Sequence, residues 1–134
     1  MSKHLLLVED NTADLELARL ALEASEVQCD LSVARDGQEA LDLLRGAGVL
    51  PDLVLLDLNM PRVSGHEVLA AVKGDATLQH VPVVVFTTSD EARDRTRARS
   101  AGADGYVLKP QHFEELIAAL NELGQRWLTP GRPA

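Results

Sequence analysis

The sequence predicts an α/β domain with a five-stranded parallel sheet and helices on both faces, and three observations support this. Short apolar runs alternate five times with longer segments of helical periodicity. The run that ends at Asp57 is apolar throughout, which is typical of a strand buried on both faces of a sheet. The chain has 134 residues, enough for one domain with a core of its own.

Five apolar runs predict the strands. They are short, rich in leucine and valine, and most are followed at once by a polar or turn-forming residue. Asp36-Gly37 after the second run predicts a turn, and Pro61 prevents the third run from continuing. The predicted strands cover residues 4–8, 29–34, 53–57, 82–87 and 106–108.

The intervening segments predict amphipathic helices with recognisable ends. Asn11 or Thr12 can cap the first helix, whose inner stripe contains Leu15, Ala18 and Leu22. The other four are residues 38–45 closed by Gly46, a helix from a Ser64 cap to Lys73, residues 91–101 stopped by Gly102, and residues 113–123. We expect a doubly wound, flavodoxin-like (βα)5 domain over residues 1–124 and a tail over 125–134. The strand order 2-1-3-4-5 is an expectation from that fold class.

Composition excludes several classes of partner. The net charge of −8 argues against a surface for nucleic acid or for anionic membranes, since both require clustered positive charge. No apolar run is long enough to span a bilayer, and the N-terminus does not have the pattern of a secretory signal. The single cysteine, Cys29, permits no internal disulfide. We therefore expect a cytoplasmic protein without a nucleic-acid or membrane partner.

Polar side chains follow four of the predicted strands. In a parallel sheet the carboxyl ends of the strands lie on one edge, where ligands bind, so we expect these side chains to converge. Crowded carboxylates repel one another, and Mg²⁺ relieves that repulsion. A lysine there also suits a phosphoryl group, and an ionised aspartate is a possible nucleophile toward phosphorus. Asp57 is the reactive candidate, and the converging residues are Glu9, Asp10, Asp57, Thr87 and Lys109.

These motifs, in this order, resemble the receiver domain of two-component response regulators, the CheY-like family. The resemblance covers nearly the whole chain. It depends on the acidic pair Glu9-Asp10, on Leu-Leu-Asp-Leu-Asn-Met-Pro around Asp57, and on Gly65, Val-Val-Val-Phe-Thr87 and Lys109-Pro110. The fuller matches Leu-Asp-Leu-Asn-Met-Pro, Thr-Thr-Ser and Lys-Pro-Gln-His-Phe are similar to single-domain regulators that pair with bacterial phytochrome kinases.

The resemblance implies a function as a phosphorelay switch. Asp57 would accept a phosphoryl group from a phosphohistidine of a sensor histidine kinase, such as a bacteriophytochrome. The protein would signal by contact with other proteins rather than act as a metabolic enzyme. The implied Mg²⁺ ligands are Glu9, Asp10, Asp57 and the backbone carbonyl of Asn59.

The resemblance also assigns residues that respond to the phosphoryl group. Lys109 and Thr87 would contact its oxygens, and Tyr106 would turn inward as Thr87 moves. The Lys109–Pro110 peptide would be cis. Thr88 departs from the family pattern, in which alanine or glycine is usual. Its added bulk is expected to slow phosphoryl transfer or hydrolysis. The acidic pair also departs, being Glu-Asp rather than Asp-Asp.

Two other functions compete with this interpretation. An aspartyl-phosphate phosphohydrolase also uses an aspartate at a strand end with Mg²⁺, but typically has a second aspartate two residues later, where this chain has Asn59. A pseudo-receiver that is never phosphorylated would be an interaction module, which the intact Asp57, Thr87 and Lys109 disfavour.

Trp127 is the basis of a prediction about assembly. An exposed tryptophan beyond the last predicted helix would suit an interface, since tryptophan is enriched there. We expect a homodimer formed by the last two βα units and the tail. The alternative is that Trp127 folds back on its own domain.

Overall fold

Five parallel strands form one sheet in the computed structural model, which describes residues 3–46, 48–60 and 62–128. They pair in the order β2-β1-β3-β4-β5, as predicted. β3 is the central strand, and all four of its residues are buried. The strands are β1 (Lys3–Val8), β2 (Cys29–Ala34), β3 (Leu53–Leu56), β4 (Val83–Thr87) and β5 (Gly105–Leu108).

Five helices connect and follow the strands, and several begin or end at the predicted signals. Asn11 caps the first helix by accepting the N–H of Asp14 at 2.9 Å. Ser64 and Glu67 form a capping box at the start of the third. Gly102 ends the fourth with φ 98°, in the left-handed region that favours glycine. The helices are α1 (Thr12–Ala24), α2 (Gly37–Gly46), α3 (Gly65–Lys73), α4 (Ala92–Ala101) and α5 (Phe113–Trp127).

The core has two layers, one on each face of the sheet. Alternate residues of a strand point to opposite faces, so Leu6 and Val8 join one layer while Leu5 and Leu7 join the other. Helices α2, α3 and α4 cover the first layer, and α1 and α5 cover the second. Both faces are therefore sealed, and the carboxyl ends of the strands are left as the accessible edge of the sheet.

The end of α5 differs from the prediction. The helix continues through Gly124 to Trp127 instead of ending at Leu123. A Cβ at position 124 would lie 2.5 Å from Cγ2 of Val27, so this glycine permits a close contact within the domain and does not end the helix. The first residues of the predicted tail are thus helical, and residues 129–134 lie outside the described part of the chain.

Trp127 does not have the exposure that was expected of it. It is half-buried and packs against the core layer beneath α1 and α5, and the guanidinium of Arg126 lies 5.5 Å from the centre of its ring. The structure therefore favours the alternative in which Trp127 folds back on its own domain. In the described part of the chain, the helices are too short or too polar to cross a bilayer.

Candidate functional site

Glu9 and Asp10 follow β1 directly. The N–H of Glu9 donates to the carbonyl of Ala34 at 3.0 Å, so pairing with β2 continues one residue beyond the strand. The Glu9 residue is only 2% exposed, whereas Asp10 is half-buried. β1 therefore delivers one buried and one more open carboxylate to the edge of the sheet where ligands bind in this fold class.

Asp57 lies one residue beyond β3, which ends at Leu56 rather than at Asp57 as predicted. Its N–H donates to the carbonyl of Val8 at 3.1 Å, and this contact brings it beside the acidic pair. Asp57 is 8% exposed. A Cβ on Gly65 would lie 2.2 Å from the Asp57 carbonyl oxygen, so α3 begins directly against the loop that follows Asp57.

The structure brings the three predicted carboxylates together. One carboxylate oxygen from each of Glu9, Asp10 and Asp57 lies within 4.8 Å of the others. All three donors are oxygen atoms, which hard divalent cations prefer, and a cation there would relieve the mutual repulsion. The donor set therefore fits Mg²⁺. Asn59 donates its N–H to Oδ1 of Asp57 at 3.4 Å, and the role of its carbonyl stays a prediction.

Lys109, directly after β5, brings positive charge to the same cluster. Its N–H donates to the carbonyl of Thr87 at 2.8 Å, which fixes where the side chain begins. Its ammonium donates to Oε1 of Glu9 and lies 3.8 Å from Oδ2 of Asp57. Burial alone would lower the pKa of Lys109, but the hydrogen bond to Glu9 and the nearby carboxylates outweigh burial and raise it. Lys109 therefore stays positively charged.

Glu9 titrates differently from an ordinary carboxylate. Burial is the largest cause, and the neighbouring Asp57 adds to it, so the pKa of Glu9 rises to about 7 although the hydrogen bond from Lys109 opposes the change. Near neutral pH, Glu9 is therefore only partly ionised in the protein without a bound cation.

Thr87 and Tyr106 are connected through the backbone of Ser89. Thr87 is fully buried, and its hydroxyl accepts the N–H of Ser89 at 3.3 Å. The Tyr106 hydroxyl donates to the Ser89 carbonyl at 2.8 Å, and Arg95 stacks over its ring at 4.6 Å. Burial raises the pKa of the Tyr106 phenol, with the hydrogen bond to Ser89 acting in the opposite direction. Both predicted switch residues thus contact the same loop residue.

The prediction of a cis peptide before Pro110 is wrong. Among the described residues no peptide bond is cis, so the Lys109–Pro110 bond is trans. Trans is the form that X–Pro bonds favour by about 0.5–1 kcal/mol.

Thr88 is exposed and lines a cavity of about 300 Å³ together with Glu9 and Lys109.

Two features of the site were missed from the sequence. Asp14, in the first turn of α1, places Oδ2 3.5 Å from the Lys109 ammonium and adds a further carboxylate to its surroundings. Arg62, with φ 63°, donates to Oδ2 of Asp36, and so ties the β3–α3 loop to the start of α2. Asp14 and Lys109 are 95 residues apart and Asp36 and Arg62 are 26 apart, so no local sequence pattern predicts either contact. The sequence shows only that Asp14 lies in the first turn of α1, where an acidic residue is also explained by its favourable interaction with the helix dipole.

Comparison with known proteins agrees with this geometry. The chain matches the family model for the response regulator receiver domain over residues 5–121. It is 43% identical over 128 residues to the probable methanogenesis regulatory protein FilR2 of Methanothrix harundinacea (strain 6Ac), covering 92% of this chain and 83% of that protein.

Two relatives with solved structures are also similar. Response regulator Rcp1 of Synechocystis sp. (strain ATCC 27184 / PCC 6803 / Kazusa) is 35% identical over 131 residues, which cover 94% of this chain and 89% of that protein. The structure of its Mn²⁺-bound form superposes with a TM-score of 0.86 over 98% of this chain and 99% of that one. The phosphorylated cyanobacterial phytochrome response regulator RcpA is 36% identical, with a TM-score of 0.90 over 100% of both chains. With the receiver model matching most of its length, the chain belongs to the response regulator receiver domain family and functions in two-component signalling.

Proposed function

We propose that Asp57 accepts a phosphoryl group from a phosphohistidine of a sensor histidine kinase, with Mg²⁺ held by Glu9, Asp10, Asp57 and the Asn59 carbonyl. The observation that carries the proposal is the set of three carboxylates within 4.8 Å of one another beside the Lys109 ammonium. The Mn²⁺-bound form of Rcp1 and the phosphorylated form of RcpA support it by similarity.

The chain's own residues account for the transfer step. A carboxylate oxygen of Asp57 forms a bond to phosphorus while the phosphorus–nitrogen bond of the phosphohistidine breaks, and the electron pair stays on the imidazole. The transferring group passes through a loose transition state with negative charge on its equatorial oxygens. Lys109, 3.8 Å from Oδ2 of Asp57, is placed to neutralise part of that charge. A divalent cation bound by the carboxylates would supply the remaining positive charge.

The product can change the surface of the domain through Thr87. The Thr87 hydroxyl accepts the N–H of Ser89 and can still donate its own O–H to a phosphoryl oxygen. A turn of Thr87 toward that oxygen would therefore pull on Ser89, whose carbonyl accepts from Tyr106. Movement of this loop would release Tyr106 to turn inward. The phosphoryl group then acts by shifting a population between two arrangements.

We assign the input to a kinase of the bacteriophytochrome type, because RcpA is a phytochrome response regulator and is 36% identical to this chain. The chain would be a signalling protein without metabolic turnover, acting in the cytoplasm where ATP-dependent kinases work. The phosphohydrolase alternative is disfavoured by Asn59, which offers an amide where that class has an acid. The kinase that donates to this chain is best found by phosphotransfer profiling against purified kinases of the same organism.

We also propose that the domain forms a homodimer through its last two βα units. Trp127 packs against its own domain and so does not support a dimer, but charge complementarity does. Exposed arginines on α4 (Arg93, Arg97 and Arg99) can face exposed glutamates on α5 (Glu114, Glu115 and Glu122) of a second copy. Light scattering with and without beryllofluoride tests this, and a monomeric mass in both conditions contradicts it.

Asp57→Asn tests the proposed acceptor. The amide keeps the shape of the side chain but is a poor nucleophile, so labelling by acetyl phosphate with Mg²⁺ should be lost. Asp30→Asn is the matched control, because it makes the same change at an exposed aspartate of β2 outside the acidic cluster, and its labelling should equal that of the wild type. If the Asp57→Asn variant were labelled as strongly as the wild type, the acceptor would lie elsewhere. Steady turnover of a phosphate ester would favour the phosphohydrolase alternative.

A further inference from the structure

A chain of polar contacts runs from α3 to the loop that joins β4 and α4. His66, in the first turn of α3, is 8% exposed, and its Nε2 lies 3.0 Å from Oδ1 of Asp94 in α4. Because a carboxylate can only accept, Nε2 is the donor. The other oxygen of Asp94 accepts the Ser89 hydroxyl at 2.5 Å. The hydrogen bonds from Ser89 and His66 lower the pKa of Asp94, so it is an ionised acceptor at neutral pH.

This chain reaches the switch residues at one end. The Ser89 side chain is held by Asp94, its N–H donates to Thr87, and its carbonyl accepts from Tyr106. The Ser89 hydroxyl oxygen also accepts the N–H of Glu91 at 3.4 Å, so Ser89 is held by its side chain and by its backbone.

The same chain reaches the acceptor loop at the other end. His66 directly follows Gly65, whose N–H donates to the Leu58 carbonyl at 3.1 Å and at which a Cβ would lie 2.2 Å from the Asp57 carbonyl oxygen. His66 thus joins the loop after the acceptor to the loop that carries Thr87. Its buried Nδ1 finds no hydrogen-bond partner among the described residues, so Asp94 is the polar contact that accounts for a histidine at this position.

We propose that His66 is a positioning residue that holds Asp94, and through it Ser89, in the arrangement of the unphosphorylated protein. The proposal rests on the proposed function of Asp57 as acceptor. While His66 restrains Asp94, the β4–α4 loop resists the movement of Ser89 that accompanies a turn of Thr87 toward the phosphoryl group. Loss of the restraint shifts the population toward the activated arrangement, and a ligand of that arrangement binds more tightly.

His66→Leu removes the donor and keeps much of the buried bulk. With saturating Mg²⁺, its affinity for beryllofluoride, which mimics the phosphoryl group, should rise about three- to tenfold over wild type. His66→Gln retains an N–H donor and should return the affinity to within about twofold of wild type. His80→Leu is the matched control, because His80 is exposed and lies outside the contact chain.

The amide resonance of Ser89 provides a readout that a purely structural role would not change in this way. In unliganded His66→Leu protein it should move along the line that joins its free and beryllofluoride-bound positions in the wild type. A shift off that line, or equal affinities for His66→Leu and wild type, overturns the proposal.

Ser89→Ala gives an independent test if His66→Leu fails to fold. It removes the hydroxyl, which donates to Asp94 and accepts the N–H of Glu91 at 3.4 Å, and keeps both backbone contacts, so it should tighten beryllofluoride binding by itself. In the double variant the two effects should not add, since both break one chain of contacts. Fully additive effects, or no effect of Ser89→Ala, contradict the proposal. A wild-type protein that binds no beryllofluoride contradicts the proposed function itself.

Discussion

Cation binding at the acidic cluster should depend on pH near neutrality, because Glu9 must lose its proton to bind a metal. Burial and Asp57 raise the pKa of Glu9 to about 7. With that value, about nine-tenths of Glu9 is ionised at pH 8 and about one-tenth at pH 6. Because only the ionised form is a ligand, we expect the apparent Mg²⁺ affinity to be about tenfold weaker at pH 6 than at pH 8.

Isothermal titration of Mg²⁺ at a series of pH values measures this dependence. Glu9→Gln is the control, because its remaining affinity should be weaker at every pH and vary by less than about twofold over the same range. The two proteins differ only at position 9, so the difference between the two curves reports Glu9. A wild-type affinity that changes by less than about twofold would refute the reasoning, since a surface glutamate with a pKa of about 4.3 would behave in that way.

Three further predictions concern stability and phosphoryl transfer. The pKa of Glu9 is raised in the folded protein, so the stability of the metal-free protein falls as pH rises from 4.5 to about 7. Glu9→Gln should therefore raise the free energy of unfolding at pH 8, measured by urea denaturation, by about 1 kcal/mol. Gly65→Ala should lower the free energy of unfolding by about 1–3 kcal/mol, because the new Cβ meets the backbone at Asp57. Thr88→Ala should speed phosphoryl transfer from acetyl phosphate or hydrolysis of the product, both followed by phosphoprotein gels, because a bulky side chain leaves the cavity beside Lys109.

Each of these predictions has an outcome that contradicts it. A Glu9→Gln protein less stable than wild type at pH 8 would mean that the contact with Lys109 outweighs the cost of burying the charge of Glu9 beside Asp57. An unchanged denaturation midpoint for Gly65→Ala would mean that the loop after Asp57 can move aside; Gly48→Ala, where no atom lies within 4 Å of the new Cβ, is its control. Comparable transfer rates and phosphoryl lifetimes in Thr88→Ala and wild type would remove any role for Thr88.

Much of the fold and the centre of the site could be predicted because both follow from local patterns. The apolar runs and their polar ends placed Glu9, Asp10, Asp57 and Lys109 on one edge, since parallel strands share that edge whatever their exact register. The residue types at Asn11, Ser64 and Gly102 also predicted helix ends, because each favours a capping position.

The features that could not be predicted depend on contacts between distant segments. In the sequence Gly124 is typical of the end of a helix. In the structure it lies inside α5, where the absence of a side chain leaves room for Val27, almost one hundred residues earlier. Packing of that kind also half-buries Trp127. The approach of Asp14 to Lys109 depends on where two long side chains point, which periodicity does not specify.

The position of Lys109 has a consequence for the balance of charge as the domain folds. Glu9, Asp10 and Asp57 come from the first and third strands, whereas the lysine that offsets their charge follows the fifth, at the border of the sheet. A nascent or partly folded chain that has docked the inner strands but not the outermost one gathers like charges with no compensating ammonium. Docking of that border strand therefore relieves the repulsion among the three carboxylates, and a divalent cation bound by them would relieve the same repulsion.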